Sequence, residues 1–182
     1  MFQGVKRKVI AFCGFQQSGK DYSCRRLMMT MGYEKVAYAD ALRECAFKII
    51  GIPYEEGMKN YETLKATDLI NGLTFRNILE NLGSAIRTYD KDFWAHTVVE
   101  KIKQTYKNVC ISDLRYKNEY MVLKKFCDVN DIELKLVFCD YKSEGYNEHN
   151  PHESAKLARY LKDIGYGDQD VVREEDIIAY VD

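Results

Sequence analysis

The sequence lacks the features that mark secreted, membrane-spanning or nucleic-acid-binding proteins. No segment approaches the roughly 18 consecutive apolar residues that a membrane span requires. The apolar run Val9–Cys13, which follows a basic start, is too short for a secretory signal peptide. A formal net charge of −1 gives no overall positive field for nucleic acid or an anionic membrane. We therefore expect a cytoplasmic protein that binds neither nucleic acid nor a membrane.

The sequence also lacks the cysteine spacing of a zinc site or a disulfide framework. None of its cysteines forms a C-x-x-C pair, and most lie within apolar runs. The six are Cys13, Cys24, Cys45, Cys110, Cys127 and Cys139. In a chain without a signal peptide, this pattern is typical of reduced thiols that serve as small core residues.

Apolar periodicity predicts an α/β fold. The chain has 182 residues, which suits a single domain. Short apolar strands alternate with amphipathic helices, an arrangement that predicts a parallel sheet covered on both faces. The predicted strands are Val9–Cys13, Lys35–Tyr38, Val109–Ser112, Leu134–Cys139 and Val171–Val172. A long helical stretch at about 40–107 is expected to form an inserted lobe, in which Thr74 caps a helix, whereas Tyr54–Gly72 shows no clear pattern.

A phosphate-binding loop is the strongest motif. Gly14–Lys20 fits G-x-x-x-x-G-K, with an apolar strand before it and an amphipathic helix after it. Glycines let the backbone N–H groups curl toward phosphate oxygens, the helix N-terminus adds positive charge, and Lys20 can reach the terminal phosphates. This favours a P-loop NTPase fold of three layers. The predicted nucleotide-binding residues are Gly14, Gln16, Gln17, Ser18, Gly19, Lys20, Asp21 and Tyr22.

Two acids are candidates for holding magnesium. Asp21 stands where the loop pattern has Ser or Thr; it could bind the metal directly, bind it through water, or only favour the helix dipole. Ser23 is a weaker alternative ligand. Asp113 ends the strand Val109–Ser112, where it is either a metal ligand or a turn residue. Arg115 could pair with Asp113 or reach a phosphate.

Several short segments, taken in order, resemble the deoxynucleoside monophosphate kinases of large bacteriophages, within the P-loop kinases. Their shared order, from residue 14 to residue 154, carries the resemblance. The segments are Ser18-Gly19-Lys20-Asp21, Tyr38–Glu44, Arg76–Ser84 with Arg87, Asp92-Phe93-Trp94, Ser112–Glu119 and His152-Glu153-Ser154.

The resemblance implies ATP and Mg²⁺ as cosubstrates and a deoxynucleoside monophosphate as the phosphate acceptor. The implied catalytic residues are Lys20, Asp113, Arg115 and Arg87, and the implied metal ligands are Asp21 and Asp113. The implied acceptor-binding residues are Asp40, Arg43, Arg76, Glu80, Gly83, Arg87 and Trp94. A viral chain of this kind would act in the host cytoplasm on small-molecule substrates, and a homodimer is compatible with it.

The helix after Thr74 supports the acceptor assignment physically. Arg76, Glu80, Gly83 and Arg87 share one stripe opposite the apolar one, where guanidinium groups suit phosphates and a glycine lets a flat base approach. The alternative is a solvated charged face, with Glu80 paired to Arg76.

Two departures from the family keep alternatives open. The expected lid, at about 140–152, contains no arginine, and the family's Asn-Asp-Gly near the C-terminus is not evident. A P-loop kinase for another small acceptor, such as dephospho-coenzyme A, is one alternative. A nucleotide-binding protein without kinase activity is the other.

Overall fold

A computed structural model describes residues 6–149 and 153–181. Contacts divide the chain into two units, one built from the residues before Tyr38 and after Thr97 and the other from Tyr38–Thr97. The inserted unit thus ends at Thr97, earlier than the expected limit near residue 107. In the described part of the chain, no helix has the length and apolar character needed to cross a membrane.

The described elements alternate as the sequence predicts. The strands are β1 (Lys8–Gly14), β2 (Glu34–Val36), β3 (Asp68–Ile70), β4 (Leu73–Thr74), β5 (Val109–Ile111), β6 (Glu133–Cys139) and β7 (Val171–Val172). The helices are α1 (Lys20–Met31), α2 (Tyr38–Ile49), α3 (Tyr54–Lys59), α4 (Tyr61–Ala66), α5 (Phe75–Tyr89), α6 (Phe93–Lys103), α7 (Lys117–Val129), α8 (Lys156–Asp163) and α9 (Glu174–Ala179). A 3-10 helix at Glu153–Ala155 precedes α8.

A five-stranded sheet in the order β2-β5-β1-β6-β7 forms the centre of the first unit. The strands β2, β5, β1 and β6 are parallel, and β7 is antiparallel to β6. All three residues of β5 are buried. Because successive side chains of a strand point to opposite faces, both faces of the sheet are covered at β5. The prediction of an α/β fold with a mostly parallel central sheet is confirmed.

The strand β2 is shorter than predicted. It ends at Val36, which pairs with Ile111, the last residue of β5. Beyond this pair β5 offers no further backbone partner, and Tyr38 already begins α2. Asp40 therefore lies in the first turn of α2.

Helix α1 packs on the sheet through a buried cluster that joins Cys24 to Phe12, Tyr33, Cys110 and Cys139. Gly32 ends the helix in the left-handed conformation at φ 67°, which glycine adopts without a steric penalty. All six cysteines are unbridged, and five of them are buried. The exception is Cys45, which is exposed on α2.

The second unit has its own aromatic core. Phe47 of α2 stacks on Phe75 of α5, with ring centroids 4.6 Å apart, and both side chains are buried. Thr74 caps α5 as predicted, because its hydroxyl accepts a hydrogen bond from the Asn77 N–H at 3.2 Å while the Asn77 side chain accepts one from the Thr74 N–H. The unassigned stretch Tyr54–Gly72 forms α3, α4 and β3.

Candidate functional site

The phosphate-binding loop joins β1 to α1, as the motif requires. Gly14 adopts φ 145°, and a Cβ atom at this position would lie 2.2 Å from the carbonyl oxygen of Cys139 on β6. Any larger residue would therefore push the loop away from the neighbouring strand. Ser18 is fully buried within the loop, whereas Gln16 and Gln17 are exposed.

Lys20 points into the loop. Its side chain is largely buried, and its ammonium donates hydrogen bonds to the carbonyl oxygens of Gly14, at 2.9 Å, and Phe15. A weaker contact of 3.4 Å reaches the Ser18 hydroxyl. Burial, with a further contribution from the charge of Arg115, lowers the pKa of Lys20 to about 8. Arg115 therefore acts electrostatically on the loop lysine.

Asp21, in the first turn of α1, is joined to a residue that the sequence analysis missed. The Lys35 ammonium on β2 lies 2.6 Å from Oδ1 of Asp21. Burial alone would raise the pKa of Asp21, but the hydrogen bond and charge of Lys35, together with a hydrogen bond from Ser112 and the charge of Lys20, lower it. No motif contains Lys35, so only the pairing of β2 with β5 reveals its position.

The end of β5 carries the second candidate acid, Asp113, and is ordered by a buried carboxylate. Glu119 is 3% exposed, and its Oε2 accepts hydrogen bonds from the backbone N–H groups of Arg115, at 2.8 Å, and Tyr116, at 3.1 Å. The Arg115 guanidinium itself donates to the Ser154 hydroxyl at 3.2 Å. Glu119 is thus a positioning residue, and its only signal in the sequence is a glutamate at the third position of a helix, where it accepts from the N–H of Tyr116 before the helix.

The described part of the expected lid, residues 140–149, is attached to the outer side of the phosphate loop. Asn147 forms an antiparallel bridge with Gln16, and the Ser143 hydroxyl donates to the carbonyl oxygen of Gln17. The ring of Tyr146 packs edge-on against Phe15 at 5.7 Å. His152, which the resemblance includes, lies outside the described residues.

Lys162 of α8 stabilises this segment. Its ammonium contacts the Glu148 carboxylate, lies 3.4 Å from Asp140 and approaches the Phe15 ring to 5.4 Å. The segment therefore has ionic and aromatic contacts that hold it beside the loop.

The candidate acceptor residues of the helical unit differ in exposure. Arg76 and Glu80 are exposed on α5, and Arg87 lies over Gly83, with Nη1 3.5 Å from the position of a Cβ atom there. Trp94 is 4% exposed, and its indole N–H donates to the Gly83 carbonyl at 3.2 Å. The indole is therefore a packing group that fixes the backbone of Gly83.

Asp40 and Arg43 form a second charged group within the helical unit. Arg43 Nη1 lies 3.0 Å from Asp40 Oδ1, and the guanidinium carbon is 5.0 Å from the centroid of the Tyr61 ring. Lys65 approaches the same ring to 4.3 Å. These contacts hold the Arg43 side chain in one orientation.

Carboxylate oxygens suit magnesium, but the protein alone does not surround an ion. Within residues 6–149 and 153–181, no three His, Cys, Asp or Glu side chains are grouped so that they could hold a metal. Magnesium usually takes one or two carboxylates and completes its coordination with water and substrate phosphates. Asp113 and Asp21 fit such a partial donor set, with the restriction that Asp21 already has the Lys35 ammonium on one oxygen.

No model of a known protein family matches the chain. It is 31% identical over 122 residues to uncharacterized protein ORF77 of Ictalurid herpesvirus 1 (strain Auburn), a match that covers 65% of this chain. The chain spans 46% of that viral protein, less than half its length.

Two solved kinase structures show a distant likeness at 13% identity. One, a candidate kinase from Chloroflexus aurantiacus J-10-fl, has a TM-score of 0.42, with 75% of this chain and 61% of that chain covered. The other, APS kinase CysC of Mycobacterium tuberculosis, has a TM-score of 0.34, with 87% and 96% covered. At such low scores and identity, neither likeness bears on the reaction of this chain.

Proposed function

We propose that this protein transfers the terminal phosphate of ATP to a deoxynucleoside 5′-monophosphate and so forms the diphosphate. The observation that carries this proposal is the loop Gly14–Lys20, which joins a buried parallel strand to a helix and encloses a lysine ammonium. That arrangement suits a polyphosphate, because backbone N–H groups, the helix N-terminus and Lys20 supply positive charge together. The family resemblance of the short segments supports the choice of acceptor.

The mechanism that follows is direct in-line transfer without a covalent enzyme intermediate. Lys20 and the loop amides bind the phosphates, and Arg115, whose charge already acts on Lys20, stabilises negative charge on the transferring group. Glu119 holds the backbone from which Arg115 projects. Magnesium supplies charge neutralisation when it is bound with the nucleotide, and we assign its protein contacts to Asp113 and Asp21.

We assign acceptor binding to the helical unit. The guanidinium groups of Arg76 and Arg87 suit a monophosphate, and the packing of Trp94 on Gly83 keeps the backbone there fixed for a base. The Asp40–Arg43 pair is a further polar contact for the acceptor.

One observation favours a second candidate, a protein that binds nucleotide without transferring phosphate. Residues 140–149 contain no arginine and are attached to the loop through Ser143, Tyr146 and Asn147. Kinases commonly bring arginine to the transferring group, where it stabilises the transition state. In the kinase proposal that task falls to Arg115.

The test is ADP release from Mg-ATP in the presence of each ribo- and deoxyribonucleoside monophosphate in turn. We expect turnover with at least one deoxy acceptor, and we expect Lys20→Ala to abolish it. Lys107→Ala, which removes an exposed lysine outside the site, is the matched control and should retain full activity. Dephospho-coenzyme A completes the panel, and turnover with it alone would change the acceptor. Silence with every acceptor while ATP binding stays intact would overturn the kinase proposal in favour of the binding protein.

A further inference from the structure

One lysine holds both ends of the segment that follows β6. We call this segment, residues 140–149, the strap; it begins at Asp140 and carries Glu148 near its end. The ammonium of Lys162 on α8 contacts the Glu148 carboxylate and lies 3.4 Å from that of Asp140. It also lies 3.2 Å from the hydroxyl of Tyr146, which itself donates to Asp140. The position of the strap therefore depends on a single positive charge.

This charge is partly shielded from water. The side chains of Lys162, Asp140 and Glu148 are 30%, 16% and 31% exposed. The hydrogen bond to Glu148 outweighs burial and raises the pKa of Lys162, while the lysine lowers the pKa of Glu148. Oε2 of Glu148 lies 3.4 Å from the Tyr146 hydroxyl that also contacts Asp140. Without the lysine, two carboxylates would share this hydroxyl with no cation between them, and their repulsion would favour separation.

The strap contacts the phosphate loop at two adjacent residues. Asn147 forms an antiparallel bridge with Gln16, and the Ser143 hydroxyl donates to the carbonyl oxygen of Gln17. Gln17 has a φ of 59°, in the left-handed region that residues with a Cβ atom occupy only at a cost in free energy. The two strap contacts offset this cost and hold the loop in its present conformation.

The contact with Ser143 also sets the direction of a loop N–H group. The C=O and N–H of a trans peptide point in opposite directions, so a Gln17 carbonyl held toward the strap turns the N–H of Ser18 the other way. That N–H lies 3.3 Å from the carbonyl oxygen of Phe15, which also accepts from the Lys20 ammonium. The N–H and the ammonium thus converge on one side of the loop. At 3.3 Å the N–H contact is long, and the donor can pass to a phosphate oxygen.

We propose that Lys162 and Ser143 are positioning residues for bound phosphates: the lysine clamps the strap onto the loop, and the serine keeps the Ser18 N–H directed at the phosphate site. This inference rests on the proposed function only for the assignment of the loop to a nucleotide. A loop that already has its binding conformation loses little freedom when a ligand arrives. The affinity for the ligand is proportional to the fraction of molecules in that conformation.

Removal of either contact should weaken binding although neither side chain touches the nucleotide in this assignment. Ser143→Ala deletes one hydrogen bond, which corresponds to a loss of affinity of about fivefold. Lys162→Met deletes hydrogen bonds between charged groups, which corresponds to a loss of about tenfold or more. Ser143→Thr keeps the hydroxyl and Lys162→Arg keeps the charge. Lys125→Met removes the charge of an exposed lysine on α7 and is the matched control.

The experiment combines calorimetric titration of the whole chain with hydrogen–deuterium exchange of residues 140–149. The ligands are Mg-ATP and inorganic tripolyphosphate. We expect about fivefold weaker binding of both ligands to Ser143→Ala, and about tenfold weaker binding with faster exchange in the strap for Lys162→Met. Ser143→Thr, Lys162→Arg and Lys125→Met should resemble the wild type. Because tripolyphosphate has no base, an equal loss for both ligands locates the effect at the phosphates.

Four results would overturn the inference. They are unchanged exchange or unchanged affinity in folded Lys162→Met, unchanged affinity in Ser143→Ala, a loss for Mg-ATP without a loss for tripolyphosphate, and an equal loss in Lys125→Met. The serine variant decides the matter if Lys162→Met does not fold.

ADP release, measured in parallel, separates this inference from the proposed function. A wild type without transferase activity that shows the expected pattern of affinities would remove the kinase assignment and leave the roles of Lys162 and Ser143 standing. Normal transfer with unchanged affinities in the variants would do the reverse. A wild type that binds neither ligand would remove both.

Discussion

Replacing Lys20 with methionine should stabilise the nucleotide-free protein while it abolishes phosphoryl transfer. The pKa of Lys20 falls from 10.5 to about 8, chiefly through burial. At 1.36 kcal/mol per unit, this shift means that the ammonium lowers the free energy of unfolding by about 3 kcal/mol at neutral pH. The hydrogen bonds to Gly14, Phe15 and Ser18 are lost with the lysine and offset about 2 kcal/mol of this gain. A net gain of about 1 kcal/mol remains.

The sign of the effect follows from which state binds the proton more strongly. The unfolded chain holds the Lys20 proton up to its ordinary pKa of 10.5, and the folded protein releases it near pH 8. The destabilisation caused by the buried Lys20 ammonium is therefore complete below pH 8, and it disappears as the pH rises toward 10.5. For a chain of this length, a net gain of about 1 kcal/mol corresponds to a rise in Tm of about 2–4 °C.

Thermal melting at pH 7 and at pH 10.5, together with ADP release, measures both parts of the prediction. We expect Lys20→Met to melt at a higher temperature than the wild type at pH 7. At pH 10.5 only the lost hydrogen bonds distinguish the two, so we expect the variant to melt at a lower temperature there. A lower Tm at pH 7 would show that the loop needs the ammonium to fold, which would refute the reasoning from burial. Transfer near the wild-type rate in the folded variant would remove the loop from the active site.

Three further predictions concern the two units. Gly57→Ala should lower the free energy of unfolding by about 1–3 kcal/mol in denaturant titrations, because the added Cβ atom would lie 2.3 Å from the buried Phe47 ring. Gly83→Ala is the control, since its Cβ atom would lie 3.4 Å from the Leu42 side chain, an ordinary contact distance. This control should leave the free energy of unfolding unchanged within about 1 kcal/mol. Arg76→Ala should raise the acceptor's KM at least tenfold and leave that of ATP unchanged, and equal effects on both would place Arg76 outside the acceptor site. The affinity for ATP, measured by calorimetry, should fall as the pH rises through about 8. Nucleotide-free protein loses the Lys20 proton near that pH, whereas bound phosphates favour the protonated ammonium. An affinity that stays constant from pH 7 to 10 would contradict this prediction.

Local chemistry made parts of this protein predictable from its sequence. The phosphate loop depends on residues within one heptapeptide and on the strand and helix beside it, so Gly14 and Lys20 could be assigned without tertiary contacts. Thr74 is a second such case, because an N-cap bonds to a residue three positions away. Alternation of apolar strands and helices was likewise sufficient for the α/β fold, since each element buries its own apolar face.

Predictions were weakest where the deciding partner is distant in sequence. The stretch Tyr54–Gly72 has no strong local period, and two short helices and one strand of a hairpin form there because its apolar residues pack around Phe47 and Phe75. Trp94 could be matched to a family segment, but only the structure shows that its indole is buried against Gly83.

The sequence by itself determined the loop, the strands on which it depends and the candidate acids, because these follow from spacing along the chain. Only the tertiary structure decided which charges meet at the site. Parallel pairing of β2 with β5 brings Lys35 to Asp21, and the fold of the segment after β6 attaches residues 143–147 to the phosphate loop. Such contacts between residues far apart in the chain depend on strand order and packing, which no local pattern encodes.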